Sequence, residues 1–160
     1  MSLIQVSVNQ NKIKINLEQI ENAAKRILNV LGYTEAELSV LIVDDAEMAE
    51  INLEHRQIDH TTDVLSFPML EGEFGEVCPE MIGDVVISAE TAESISRQTS
   101  LGFESVMDLL LTHGVLHLLG FDHEDSEPRA LEMREKTMEL LTELGHSRDD
   151  FKWFFDEATD

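Results

Sequence analysis

LSVLIVDDAEMAEINLE, residues 38–54, is the stretch from which the fold class is read. Leu38 to Val43 is a short, largely apolar run, the pattern of a buried strand. Asp44 or Asp45 then supplies an N-cap, and a helix continues through Met48, Ile51 and Glu54. A strand feeding directly into a helix indicates an α/β arrangement.

Residues 3–8 alternate, with Leu3, Gln5 and Ser7 set against Ile4, Val6 and Val8, and read as a first strand. Asn16 with Gln19 resembles a capping box. Leu17, Ile20, Ala24, Ile27, Leu28 and Leu31 follow a helical period, and Gly32 supplies the C-cap. Downstream, Asp63 to Phe67 reads as a third strand stopped by Pro68. Residues 71–80 carry Glu71, Gly72, Glu73, Gly75, Glu76, Pro79 and Glu80 and read as an exposed acidic loop. Met81 to Ser88 is a fourth strand, and 89–99 an amphipathic helix. A helix over about 104–119, a turn, a helix over roughly 127–144 and a short one near 150–157 complete the chain. No repeat or linker interrupts it. The expectation is one α/β (α+β) domain over 1–160, with a small mixed sheet of four strands and a helical second half.

The 160 residues suffice for one hydrophobic core, and the 42% apolar and 28% charged fractions are ordinary for a globular chain. No basic and apolar leader opens the sequence, so no signal peptide is expected. The longest apolar stretch, Val106 to Phe121, is broken by Asp108, Thr112, His113, Gly114 and His117, which argues against a membrane span. The single Cys78 allows no internal disulfide and suits a reducing, cytoplasmic compartment. The formal net charge of −22 is unusual, and between residues 61 and 125 the only basic residue is Arg97. Such a field repels polyanions, which argues against tight binding of free nucleic acid.

HGVLHLLGFDH, residues 113–123, carries the chemistry. His113 and His117 stand one helical turn apart on the same face. Gly120 lies where a helix end needs positive φ, after which the chain can reverse and bring in His123. Three imidazoles with an open fourth position form the pattern of a catalytic zinc site, whereas structural sites close with four protein ligands. Imidazole also suits nickel, copper and iron, and zinc is favoured by redox inertness and tetrahedral geometry. A lone histidine on an apolar helix is usually a satisfied core residue, but three in eleven positions around a glycine are hard to explain that way. The spacing equals that of the metzincin proteases, H-E-x-x-H-x-x-G-x-x-H. The position of their general base is Gly114 here, which disfavours peptide hydrolysis.

A second constellation lies in INLEHRQIDHTTDVLSFPM, residues 51–69. Arg56 has two readings: a surface ion pair with Glu54 or Asp59, or a bidentate clamp on phosphate or carboxylate near the metal. Asp63 is a cap, a partner orienting a histidine, or an exposed carboxylate. His55 and His60 flank Arg56 and read first as surface residues. Ser66 has no partner pattern of a nucleophile. Asp122 is a turn residue, a partner orienting a histidine, or a base.

Three segments together resemble the YbeY-type endoribonucleases. HGVLHLLGFDH is similar to that family's H-G-x-L-H-L-x-G-[YF]-D-H, RQIDHTTDVLSFP to its R-x-x-[DN]-x-x-T-D-V-L-S-F-P, and IGDVVIS (82–88) to its G-D-I-x-I-S strand. Two departures stand out: His55 where an aromatic is frequent, and His60-Thr61 where a basic residue and proline are common. The resemblance implies a small, mostly parallel sheet surrounded by helices. It implies a zinc-dependent, single-strand-specific endoribonuclease acting in ribosomal RNA maturation (3′-end processing of 16S rRNA) and ribosome quality control. It carries His113, His117 and His123 over as ligands of one Zn2+, and Arg56 as a catalytic or phosphate-binding residue. Asp122 and Asp63 are left as candidates for a base. The acidity adds an expectation that recruitment to RNA depends on ribosomal proteins or a ribosome-associated GTPase. The rivals are a metal hydrolase of another substrate and a ribosome-assembly factor in which the metal only staples helices.

Overall fold

The structure is a computed structural model and describes residues 2–69, 81–121 and 126–157, with side chains through Phe155. In chain order the described elements are β1 (Leu3–Asn9), α1 (Leu17–Val30), β2 (Glu37–Val43), α2 (Asp45–Arg56), β3 (Val64–Pro68), β4 (Met81–Ser88), α3 (Ala89–Thr99), α4 (Phe103–Leu118) and α5 (Glu127–Glu143). A 3-10 turn at Arg148–Phe151 leads into α6 (Lys152–Glu157). The four strands form one mixed sheet in the order β1-β2-β4-β3. β1 runs parallel to β2 and β2 to β4, while edge strand β3 runs antiparallel to β4. The α+β class and the mostly parallel sheet agree with the reading above. The expected acidic loop at 71–80 lies outside the described residues.

The period of two along each strand sorts side chains to two faces. Leu38, Val40, Ile42, Val85 and Ile87 face the larger core, shared with α1, α3, α4 and α5. Val43, Leu65 and Val86 face the other way, against Met48 of α2, with Leu41, Ile51 and Phe67 at the rim. Helices α2 and α4 therefore lie on opposite faces of the sheet.

Local chemistry explains most element ends. Asp44, not Asp45, caps α2, accepting from Glu47 N at 2.9 Å. The Asp45 carboxylate instead accepts from Ser88 Oγ, Thr91 Oγ1 and Thr61 Oγ1, which ties α2 to β4, α3 and the segment before β3. The capping box at α1 is half formed. Asn16 Oδ1 accepts from Gln19 N at 3.1 Å, but the Gln19 side chain reaches away to Asp108 Oδ1 at 3.1 Å. A buried acceptor on α4 competes better for that amide than the exposed N-cap backbone does.

Helix α4 is apolar nearly all round and correspondingly central. Leu110, Leu111, Val115 and Leu116 belong to the sheet core, while Leu109 faces a second cluster with Met138, Leu141 and Phe151. Each such buried side chain contributes about 1.5–3 kcal/mol of transfer free energy. The histidines are thus polar breaks on a helix pinned from both sides.

Candidate active site

His113 and His117 occupy the last turns of α4, and the helix ends just beyond them. Leu119 is the C-cap. Gly120 N donates to His117 O at 3.1 Å, and Phe121 N to Leu116 O at 3.0 Å. These are the paired bonds of a Schellman motif, with Gly120 at the position of positive φ (+94°). The glycine expected from the sequence as the stop signal has that role. Arg129 of α5 donates to the Gly120 carbonyl at 2.7 Å and ties the turn to the next helix.

The two rings meet. His113 Nε2 and His117 Nε2 are 3.0 Å apart, with ring centroids at 4.5 Å and planes at 80°. Two imidazole nitrogens at the usual zinc–nitrogen distance and tetrahedral angle stand roughly 3.3 Å apart. The observed separation differs from that by a few tenths of an ångström, so the pair fits as two ligands of one ion. The two nitrogens are also within hydrogen-bond distance of each other, with one ring as donor and the other as acceptor. Among the described residues no cluster of three or more histidine, cysteine or acidic side chains forms a metal site. His123 and Asp122 lie outside the described residues.

Gly114 is a packing glycine. A Cβ there would lie 2.7 Å from Val85 Cγ1 and 3.1 Å from Val64 Cγ2. The residue after the first histidine faces the sheet, so this chain has no room for a glutamate in that direction. Ser66 Oγ donates to the Gly114 carbonyl at 2.8 Å. That bond gives Ser66 a tethering role between β3 and α4.

Arg56 is the last residue of α2 and is exposed. Neither Glu54 nor Asp59 pairs with it among the described residues, whereas Arg97 is held by Glu93 one turn away. Although α2 and α4 lie on opposite sheet faces, β3 joins their ends. The His55 ring meets Phe67 at 5.0 Å in a T-shaped contact. Phe67 neighbours Ser66, and Ser66 holds Gly114. Arg56 and His113 are therefore linked through adjacent residues of one strand. His55 packs as an aromatic would, which accounts for its place where the resemblance has an aromatic residue.

The segment after Arg56 is held by a residue that the sequence reading did not single out. Asn52 is fully buried, and its Nδ2 donates to His60 O at 2.9 Å. His60 itself is exposed, with Nδ1 2.9 Å from Thr61 O. Asp63 Oδ1 accepts from Val64 N at 2.7 Å and from Thr62 Oγ1 at 3.4 Å, so the carboxylate is turned onto its own backbone. Burial pushes its pKa up, against the pull of those hydrogen bonds. A second missed residue is Phe154, whose ring meets that of His113 at 5.2 Å and 79°. The aromatic run in FKWFF (151–155) was its only signal.

Fold and site together define a class: an α+β protein in which a central helix, seated on the sheet through a glycine, presents two imidazoles one turn apart. The sequence model of the family Endoribonuclease YbeY matches residues 5–145. The chain belongs to that family. It is 47% identical over 138 residues to the endoribonuclease YbeY of Syntrophotalea carbinolica, covering 84% of this chain and 92% of that one. It is 42% identical over 139 residues to the Aquifex aeolicus protein of the same name, covering 87% and 91%. The solution structure of TM1509 from Thermotoga maritima shares the fold, with a TM-score of 0.63 at 23% identity over 98% of this chain and 94% of that one.

Proposed function

We propose that this endoribonuclease cleaves single-stranded RNA at one zinc ion held by His113, His117 and His123, with Arg56 binding the scissile phosphodiester. The observation that supports the reading most directly is the 3.0 Å approach of the two Nε2 atoms on a helix fixed to the sheet. When bound, zinc supplies Lewis acidity to a phosphoryl centre. The imidazoles contribute neutral nitrogen ligands whose geometry is set before substrate arrives. Arg56 contributes two parallel N–H donors and a permanent positive charge, suited to the charge that builds on phosphate oxygens in the transition state. Under this reading a single RNA strand would cross β3, which touches both helices. Asp63, with its raised pKa, and Asp122 are the candidates for moving a proton.

The substrate under this reading is ribosomal RNA in the cytoplasm. No helix among the described residues is long and apolar enough to cross a membrane. A net charge of −22 gives little long-range attraction for RNA. Delivery to the substrate therefore falls to a ribosomal protein or a ribosome-associated GTPase. A protease reading is disfavoured because position 114 faces Val85 and Val64, where no carboxylate fits.

The test is single-turnover cleavage of a single-stranded RNA by zinc-loaded protein, with an unstructured peptide assayed in parallel. Cleavage of RNA but not peptide is expected. His113→Ala should lose metal and cleavage together. Arg56→Ala should retain metal and lose roughly 10²–10³ in rate. Zinc-dependent peptide cleavage abolished by His113→Ala would overturn the reading.

A further inference from the structure

The chain beyond residue 145 lies outside the stretch matched by the family model, yet it reaches the candidate site. It leaves α5, forms the 3-10 turn and continues into α6. Two anchors hold it. Phe151 is fully buried in a cluster with Leu109, Met138 and Leu141. His146 Nε2 lies 2.8 Å from Asp108 Oδ2 on α4, and the His146 ring meets that of Phe151 at 5.4 Å. Between these anchors and the end of α6, Phe154 is placed against His113.

An imidazole on a helix end keeps rotation about its outer torsion unless neighbours remove it, because that torsion is broad. A ligand nitrogen displaced by such rotation no longer points at the metal. The His113 ring meets two others edge-to-face, that of His117 at 80° and that of Phe154 at 79°. Phe154 is itself fixed by T-shaped contacts with Trp153 at 5.8 Å and Phe155 at 5.3 Å. Arg134 of α5 sits over the Phe155 ring at 5.5 Å. Aromatic contacts of this geometry are worth more than their buried area alone, so the arrangement holds a direction as well as a volume.

We infer that Phe154 is a positioning residue: the C-terminal segment seats its ring against His113 and sets the orientation of that imidazole for metal binding. The inference rests on His113 being a ligand, and its first readout does not need the metal. Phe154 touches no reacting atom and acts through His113. Residues that orient a ligand in this way commonly change metal affinity without being ligands.

The experiment uses full-length protein with Phe154→Leu, which keeps an apolar side chain of similar size but removes the ring, and Phe154→Tyr, which keeps the ring. Phe155→Leu removes a ring of the same cluster that meets Phe154 and Arg134. Folding of each variant is checked by thermal unfolding. In metal-free protein, the orientation of the His113 ring is read from the NOEs between its Hδ2 and its own Hα and Hβ protons, which do not depend on the ring current of Phe154. The pattern is expected to change in Phe154→Leu and to stay in Phe154→Tyr and in Phe155→Leu. Zinc affinity, measured by competition with a chromophoric chelator, should fall by about tenfold or more in Phe154→Leu only. If no version binds zinc, the metal reading fails, while the NOE pattern of the metal-free protein still decides whether Phe154 orients the ring. A folded Phe154→Leu with an unchanged His113 NOE pattern overturns the inference. So does a Phe155→Leu that perturbs His113 equally, since the segment would then be general packing.

Discussion

Ser66 on β3 donates a 2.8 Å hydrogen bond to the carbonyl of Gly114 on α4, one residue from the first histidine of the candidate site. The next residue of the strand, Phe67, points to the opposite face and meets His55, one residue from Arg56. Because side chains alternate along a strand, one edge strand spaces two functional groups carried by helices on different sheet faces.

The Ser66–Gly114 bond is part-buried and joins two neutral groups. Ser66→Ala should cost about 1 kcal/mol in urea unfolding, the usual net worth of such a bond. A loss within error of zero would mean that apolar packing, including the valine contacts at Gly114, holds α4 without this bond.

Those valine contacts give a sharper expectation. A methyl group at 114 must displace Val85, whose Cγ1 would be 2.7 Å away. Overpacking of this kind costs about 1–3 kcal/mol, against a gain of up to ~1 kcal/mol from the better helix propensity of alanine. Gly114→Ala should be destabilised overall. Added to a Val85→Ala background it should cost less than it does alone, which a double-mutant cycle measures. Equal costs in both backgrounds would show that the clash is relieved elsewhere.

A ligand that binds only the folded chain raises the melting temperature. Stripping zinc with a chelator should lower the melting temperature of the unaltered protein and leave that of His117→Ala almost unchanged. Elemental analysis of His117→Ala should find most of the metal gone. Full retention would remove His117 from the ligand set.

Asp108 is nearly buried, and burial pushes its pKa above the ordinary 3.8, only partly countered by the hydrogen bond and charge of His146. With the folded pKa above the unfolded one, the native state binds the extra proton. The stability contributed by this group is full below about pH 4 and is lost as pH rises through the folded value. Asp108→Asn keeps the shape and an acceptor but cannot ionise. Its stability relative to the unaltered metal-free protein should therefore improve from about pH 4 towards neutrality. A difference that is flat across that window would mean that the bonds to His146 and Gln19 fully offset the burial.

Arg56 tests geometry against charge. Arg56→Lys keeps the charge but not the two-pronged donor, so it should recover only part of the cleavage lost in Arg56→Ala, with zinc content unchanged in both. Full activity of Arg56→Ala would make Arg56 an ordinary surface residue.

Much of this was legible along the chain because it depends on local rules. The buried strand at Leu38–Val43 was read from its apolar run, the start of α1 from Asn16, and the end of α4 from Gly120, since these features act within a few residues. The spacing of His113 and His117 placed both rings on one helical face by geometry alone. Other features depend on neighbours distant in the chain. Gly114 reads as a missing general base in the sequence, but its physical cause is the approach of Val85 and Val64 from two strands. Gln19 turned away from its capping box because Asp108 lies across the helix interface. Phe154 meets His113 across some forty intervening residues, a distance over which no periodicity or capping rule carries information. Local rules set where elements begin, end and face, while the packing of one element on another determined which side chains share a site.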